Sequence, residues 1–202
     1  MIEDSTKHIV LASRSPVRAR LLRKAGLDII VSPAGVDEEA VKNALIHEQA
    51  SPAQIAQTLA ELKTVRSARH GAHFVIGADQ VLSCDGTLFN KPDCLEAARE
   101  HLIALRGKTH ILSTAVCIAK GGGIIWRYQD TAELHIRSFT GDFLDTYLFK
   151  NKERVLESAG GYFLESDGVQ LFDWIKGDYF SILGLPLIPI LNFLREHGVL
   201  QL

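Results

Sequence analysis

Short apolar runs alternate with amphipathic stretches along much of the chain, and that alternation predicts a mixed α/β fold. Ile9 to Ala12 is a brief apolar run that leads through Ser13 and Arg14 into a Ser15-Pro16 pair. Serine as a cap and proline at the first helical position mark a helix start, and this helix is predicted to end before Gly26. Asp28 to Ser32 reads as a short strand, broken by Pro33-Ala34-Gly35. The acidic cluster Asp37-Glu38-Glu39 then reads as a solvated loop or a helix start. Ser51-Pro52 opens a second helix, in which Ile55, Leu59, Leu62 and Val65 recur at helical spacing and are expected to face the core. Lys63 lies beside that stripe, either solvated or aimed into a cleft. Phe74 to Ala78 reads as a buried strand that ends at Asp79.

Asp85-Gly86 predicts a hairpin between Val81-Leu82 and Leu88-Phe89. Leu95 to Leu105 reads as a helix closed by Gly107. Ile111 to Ala119 and Ile124 to Ile136 read as long strands joined by Gly121-Gly122-Gly123. A helix is expected over Gly141 to Phe149, strands at Tyr162 to Leu164 and Val169 to Ile175, and a helix at Pro189 to His197. No repeat, linker or low-complexity segment interrupts the pattern, so residues 1–202 read as a single domain.

Composition narrows the function. With 47% hydrophobic and 23% charged residues and a net charge of −2, the chain has neither a disordered composition nor the basic excess of a nucleic-acid binder. Cys84, Cys94 and Cys117 form no close pair and no metal-ligand spacing. The longest apolar stretch, Ile182 to Leu191, is too short for a bilayer and contains Pro186 and Pro189. Met1-Ile2-Glu3-Asp4 lacks the basic and apolar regions of a signal peptide. A cytoplasmic protein with no nucleic-acid and no membrane partner is expected. Trp126 and Trp174 are expected to serve packing.

The candidate chemistry is that of anions. The start of the first helix offers free N–H groups, the hydroxyls of Ser13 and Ser15, and the guanidinium groups of Arg14 and Arg18, which suits a phosphorylated ligand. Asp79, placed after a buried strand, stands where α/β sheets build their sites, although a turn aspartate is the plain alternative. Acids among Asp37 to Glu39 can supply oxygen ligands to Mg²⁺, and Lys63 and Lys91 can neutralise phosphate charge. A GxxxxGK(S/T) loop, an HExxH pair and a GxSxG elbow are all missing. Acids, lysines and an anion-binding helix start suit metal-assisted attack on a phosphate.

These residues resemble a known family. LASRSPVRARLL (Leu11 to Leu22) is similar to the opening of Maf proteins, VIGADQVL (Val75 to Leu82) to their acidic motif, and NKP (Asn90 to Pro92) to their lysine-proline element. AGGYFLE (Ala159 to Glu165), IKGDY (Ile175 to Tyr179) and GLPL (Gly184 to Leu187) follow in the family's order. The resemblance implies a Maf/Ham1-like fold: a mixed twisted sheet with flanking helices, elongated and two-lobed, with a central cleft. It implies a hydrolase of acid anhydrides that converts nucleoside triphosphates to monophosphate and pyrophosphate, with Mg²⁺, or Mn²⁺ as a substitute, and a homodimer. Candidate apolar surface for the dimer lies in Ile111 to Ala119 and Ile124 to Ile136, which read equally well as core.

By motif, the resemblance makes Asp79 the catalytic carboxylate, and Glu38 with Asp79 the metal ligands. Ser13, Arg14, Arg18, Lys63 and Lys91 become the substrate-binding set. Gln80, where the pyrimidine branch carries Thr, and Glu165, where it carries Gln, point toward the 7-methyl-GTP branch. Val17 replaces both the arginine of one branch and the aromatic of the other. A carboxylate can accept from N1–H and the exocyclic amine of a guanine together. The expectation is therefore a purine-leaning enzyme acting on modified nucleotides. The alternatives are a dTTP/UTP pyrophosphatase, or a nucleotide-binding regulator of septum formation without essential turnover.

Overall fold

The computed structural model describes residues 9–68 and 73–201; residues 1–4, read above for a targeting segment, lie outside them. Seven strands form one mixed sheet: β1 (Ile9–Leu11), β2 (Ile29–Val31), β3 (Phe74–Cys84), β4 (Thr87–Phe89), β5 (Thr109–Lys120), β6 (Gly123–Ile136) and β7 (Phe172–Lys176). Their order is β2-β1-β3-β5-β6-β7, with β4 paired to β3. Seven α-helices accompany them among the described residues: α1 (Pro16–Lys24), α2 (Glu38–His47), α3 (Pro52–Ser67), α4 (Leu95–Leu105), α5 (Gly141–Asn151), α6 (Tyr179–Ile182) and α7 (Leu187–Glu196). β1 runs parallel to β2 and β3, whereas β3–β4 and β6–β7 are antiparallel. No helix among the described residues is long and apolar enough to cross a membrane.

The chain folds into two compact units, and passes between them within β3, β5 and β6 and again between β7 and α6. The first holds residues 1–80, 114–130 and 178–202, the second residues 81–113 and 131–177. In the first, side chains alternate along the strands. Ile9 and Leu11 of β1, Phe74, Ile76 and Ala78 of β3, and Val116 and Ile118 of β5 pack with Leu22 of α1 and with Ile190 and Phe193 of α7. The intervening positions Val10, Val75 and Ala119 pack with Ala68, which caps the C-terminal end of α3. Helices on both faces explain why these strands read as nearly continuous apolar runs.

α3 lies unusually close to β3. A Cβ on Gly77 would fall 2.2 Å from Thr64 Oγ1 and 2.9 Å from Ala60 O, so only glycine lets the helix backbone approach the strand. The buried face of α3 is Ile55, Ala56, Leu59, Ala60, Lys63 and Thr64. The expected stripe is thus corrected: Leu62 and Val65 are exposed, and Lys63 stands on the sheet side. The face that meets β3 is built of small residues and carries few large apolar groups to announce it.

β3 also departs from expectation. It does not stop at Ala78 but continues to Cys84, and Asp79 sits midway along it. The reason is a change of partner: β1 covers Phe74 to Ile76, and β4 covers Leu82 to Cys84 through the expected Asp85-Gly86 hairpin. Asp79 nonetheless lies just past the carboxyl end of the parallel ladder.

In the second unit α4 buries Ala98, Leu102 and Leu105, and α5 buries Leu144, Tyr147 and Leu148. Tyr162 to Leu164 forms no strand. Tyr162 turns inward so that its Oη meets His110 Nε2 at 2.6 Å, and Ser166 N donates to Phe163 O across a turn. Val169 to Ile175 is also corrected, because a 3₁₀ turn over Asp167–Leu171 precedes β7. Trp174 is 44% exposed and packs by stacking on His135, whereas Trp126 packs against the core of the first unit. The stretch Leu112 to Ala119 is core, not surface, while β6 alternates between half-buried and exposed positions over Ile124 to Asp130.

Candidate active site

Strand alternation puts Asp79 on the face of Val75 and Gly77, beneath α3. One turn of α3 carries Ala60, Lys63 and Thr64 across that face, so the close approach at Gly77 fixes where the lysine lands. Lys63 Nζ donates to Asp79 Oδ1 at 2.6 Å and to Glu38 Oε2 at 2.7 Å. Lys63 and Asp79 are buried, while the Glu38 side chain is 48% exposed. Of the acidic cluster, Asp37 caps α2 by accepting from Ala40 N, and Glu38 is the first residue of that helix. The three acids thus start a helix, and only Glu38 reaches Lys63 among the ion pairs described.

The junction from β1 to α1 forms as the Ser-Pro signal predicts. Ser15 Oγ accepts from Arg18 N at 3.4 Å, and Pro16 opens the helix. Arg14 is exposed, but Arg18 and Ser13, offered to the same ligand by the sequence, are buried. Arg18 Nη1 donates to Ala78 O at 2.8 Å and to Ser13 Oγ at 3.1 Å, and its Nε donates to Gly184 O at 2.7 Å. This guanidinium therefore pins α1 to the strand residue before Asp79. Burial lowers the Arg18 pKa, and the carboxylates of Asp79 and Glu38 oppose that shift. The GLPL element gains a physical role here, since Gly184 supplies an acceptor to Arg18 and has a φ of +91°.

Gln80 is tied into the first unit: its Nε2 donates to Thr114 Oγ1 at 2.8 Å and to Ser181 O at 2.9 Å. Asp178, from IKGDY, caps α6 by accepting from Ser181 N at 2.8 Å. Val17 is half-buried against the core. Lys91 and Glu165 are exposed and belong to the second unit. One charged residue was missed by the sequence reading. Lys42, one helical turn after Glu38, is half-buried; burial lowers its pKa, and the charge of Asp79 opposes this. Its signal is the four-residue spacing from Glu38, which becomes visible once α2 is recognised as a helix.

The donor set bears on the expected metal. Two carboxylate oxygens within reach of one nitrogen can be bridged by one small cation. No cluster of three His, Cys, Asp or Glu side chains suited to a metal occurs among the described residues. A cation here must take its other ligands from water or substrate, which suits Mg²⁺ rather than a structural zinc. The residues fit.

Comparison with known proteins agrees with this reading of the motifs. A profile described as "Maf-like protein" matches residues 8–197. A relative from Paramagnetospirillum magneticum named "Nucleoside triphosphate pyrophosphatase" is 50% identical over 95% of this chain and 99% of its own. One from Rhizobium etli named "7-methyl-GTP pyrophosphatase" is 43% identical over 97% of this chain and 99% of its own. Among solved structures, a HAM1 protein from Coxiella burnetii aligns over 64% of this chain and 72% of its own, at 16% identity and a TM-score of 0.41. The family match and the near full-length identity place this chain in the Maf-like protein family.

Proposed function

We propose that this chain hydrolyses nucleoside triphosphates to the monophosphate and pyrophosphate, with a leaning toward 7-methyl-GTP and related purines. The observation that carries the reading is the Asp79–Lys63–Glu38 cluster, with Asp79 and Lys63 buried and Glu38 open to solvent, set beside a helix start pinned by Arg18. Relatives at 43% to 50% identity are named for that chemistry.

In this reading a water oxygen attacks the α-phosphorus, the bond from that phosphorus to the α–β bridging oxygen breaks, and pyrophosphate leaves. Asp79 takes the water's proton through a carboxylate oxygen. A divalent cation held by Glu38 and Asp79, Mg²⁺ or Mn²⁺, supplies charge neutralisation on the phosphate oxygens when bound. Lys63, Lys42 and the N-terminus of α1 offset the charge that develops on the leaving group, and the exposed Arg14 and Lys91 bind the outer phosphates. Ser13 keeps the Arg18 guanidinium in place through its hydroxyl. Glu165, with Gln80 and Val17 beside the phosphate machinery in sequence, selects the base.

The test is pyrophosphate release from a panel of triphosphates, with Mg²⁺ and after thorough chelation. Turnover that favours 7-methyl-GTP and stops on chelation is expected. Preference for dTTP or UTP over every purine tested would refute the base assignment alone. Binding without turnover of any nucleotide would refute the enzyme, and activity that survives chelation would remove the metal.

A further inference from the structure

The position best suited to a cation between Glu38 and Asp79 is already taken by one that belongs to the protein. Lys63 Nζ lies 2.7 Å from Glu38 Oε2 and 2.6 Å from Asp79 Oδ1, the two oxygens a metal would need. Lys63 and Asp79 are both withdrawn from solvent, so their attraction is little screened. A divalent ion cannot enter between the carboxylates while the ammonium stays, because two cations at contact distance in a poorly screened site repel strongly. Once the ammonium leaves, it needs new acceptors in a site where water is scarce.

The guanidinium of Arg18 cannot take the place of the displaced ammonium. Arg18 is fixed by Ser13, Ala78 and Gly184, so it cannot follow the metal or take over the carboxylates. Lysine differs, being a point charge on a flexible four-carbon stem with three donors that can be redirected. A triphosphate supplies the acceptors that are lacking, since its oxygens carry the charge the displaced ammonium has lost.

We propose that Lys63 is an internal counter-ion which a divalent cation must displace from Glu38 and Asp79, so that cation and triphosphate bind cooperatively. The nucleotide half of this statement rests on the pyrophosphatase reading; the displacement itself does not. Linkage makes the coupling reciprocal: whatever factor the triphosphate adds to metal affinity, the metal adds to triphosphate affinity. The free protein is then a weak metal binder despite two convergent carboxylates.

The test uses the full chain and two probes. Mg²⁺ is titrated onto protein carrying ¹⁵N-labelled lysine, and the ammonium resonance of Lys63 is followed. It is expected to lose its ion-paired signature in step with metal binding, and to do so at roughly tenfold lower Mg²⁺ when inorganic tripolyphosphate is present, with chelation in solution corrected for. Free Mn²⁺ is then counted by electron spin resonance for the wild type and for Lys63→Met, with circular dichroism to check the fold. The variant is expected to bind Mn²⁺ alone at least about tenfold more tightly. Metal binding that leaves the Lys63 resonance unmoved would overturn the proposal, and so would equal Mn²⁺ affinity in a folded variant. The wild-type titration decides the matter if the variant does not fold. Neither measurement involves turnover, so a failed activity panel and a failed displacement are separate results.

Discussion

Asp79 and His110 are both withdrawn from water, one in each unit, and the protein treats them in opposite ways. Asp79 shares a buried ion pair with Lys63, within a cluster that includes Glu38 and the guanidinium of Arg18. His110 hydrogen-bonds to an uncharged group: its Nε2 meets Tyr162 Oη, and Tyr147 Oη donates to Gly161 O in the same unit. Burial, helped by the nearby His135, drives the His110 pKa down to about 4, and burial pushes the Tyr162 hydroxyl up. Where charge is kept against the cost of burial, chemistry is the reason to look for. Where burial extinguishes charge, the network holds a loop in shape. The second case here secures the irregular segment that carries Glu165.

The comparison is broken most sharply at Asp79. Asp79→Asn keeps the size of the side chain and removes the charge, so turnover is expected to fall on the order of 10²-fold or more. Circular dichroism should show the fold intact, and pyrophosphate release gives the rate. If a folded Asp79→Asn protein keeps most of its activity, the charged cluster is structural after all.

His110 tests the other side. Its folded pKa of about 4 lies below the ordinary value of 6.5, so as pH falls the unfolded chain takes up the proton first. Stability is therefore complete above about pH 6.5 and is lost as pH falls toward 4, by up to about 3 kcal/mol in all. Urea midpoints across this range should show the slope, and His110→Gln should flatten it. A slope that the variant leaves unchanged assigns the acid sensitivity elsewhere.

Gly77→Ala links the strand to the lysine above it. The added methyl meets Thr64 and the backbone of Ala60, so α3 must shift, with an expected loss of about 1–3 kcal/mol in stability. Lys63 moves with the helix, so kcat is expected to drop beyond what the loss of folded protein explains. Thermal unfolding together with rates per folded molecule separates the two effects.

The most local effect is expected at Glu165, an exposed carboxylate in the second unit. Glu165→Gln should weaken 7-methyl-GTP relative to UTP by roughly 1–3 kcal/mol in kcat/KM, the cost of a mismatched polar contact. An unchanged ratio removes Glu165 from base selection.

The elements that sequence makes visible are those with local causes. The Ser-Pro helix starts, the Asp85-Gly86 hairpin and the helix Leu95–Leu105 depend on neighbours in the chain, and each forms as read. The elements it hides depend on distant partners. β3 runs past Asp79 because β4 takes over where β1 stops, which no local signal reports. The phase of α3 was misread because its inner face holds Ala56, Ala60, Lys63 and Thr64, while Leu62 and Val65 point outward. That misreading concealed the one fact that makes Lys63 part of the site. Asp79, Glu38 and Lys63 were legible as motif residues, but their shared contact was not, nor was the role of Gly184.

The bond from Arg18 to Gly184 joins residues 166 positions apart. Contacts of such long span form late, because closing the intervening loop must precede any gain from the contact. During synthesis, then, the α1 junction exists for most of the chain's emergence without one of the three acceptors that hold its guanidinium. A nascent chain halted before Gly184 has Asp79, Lys63 and the bond from Arg18 to Ala78, but lacks the bond that ties Arg18 to the C-terminal segment.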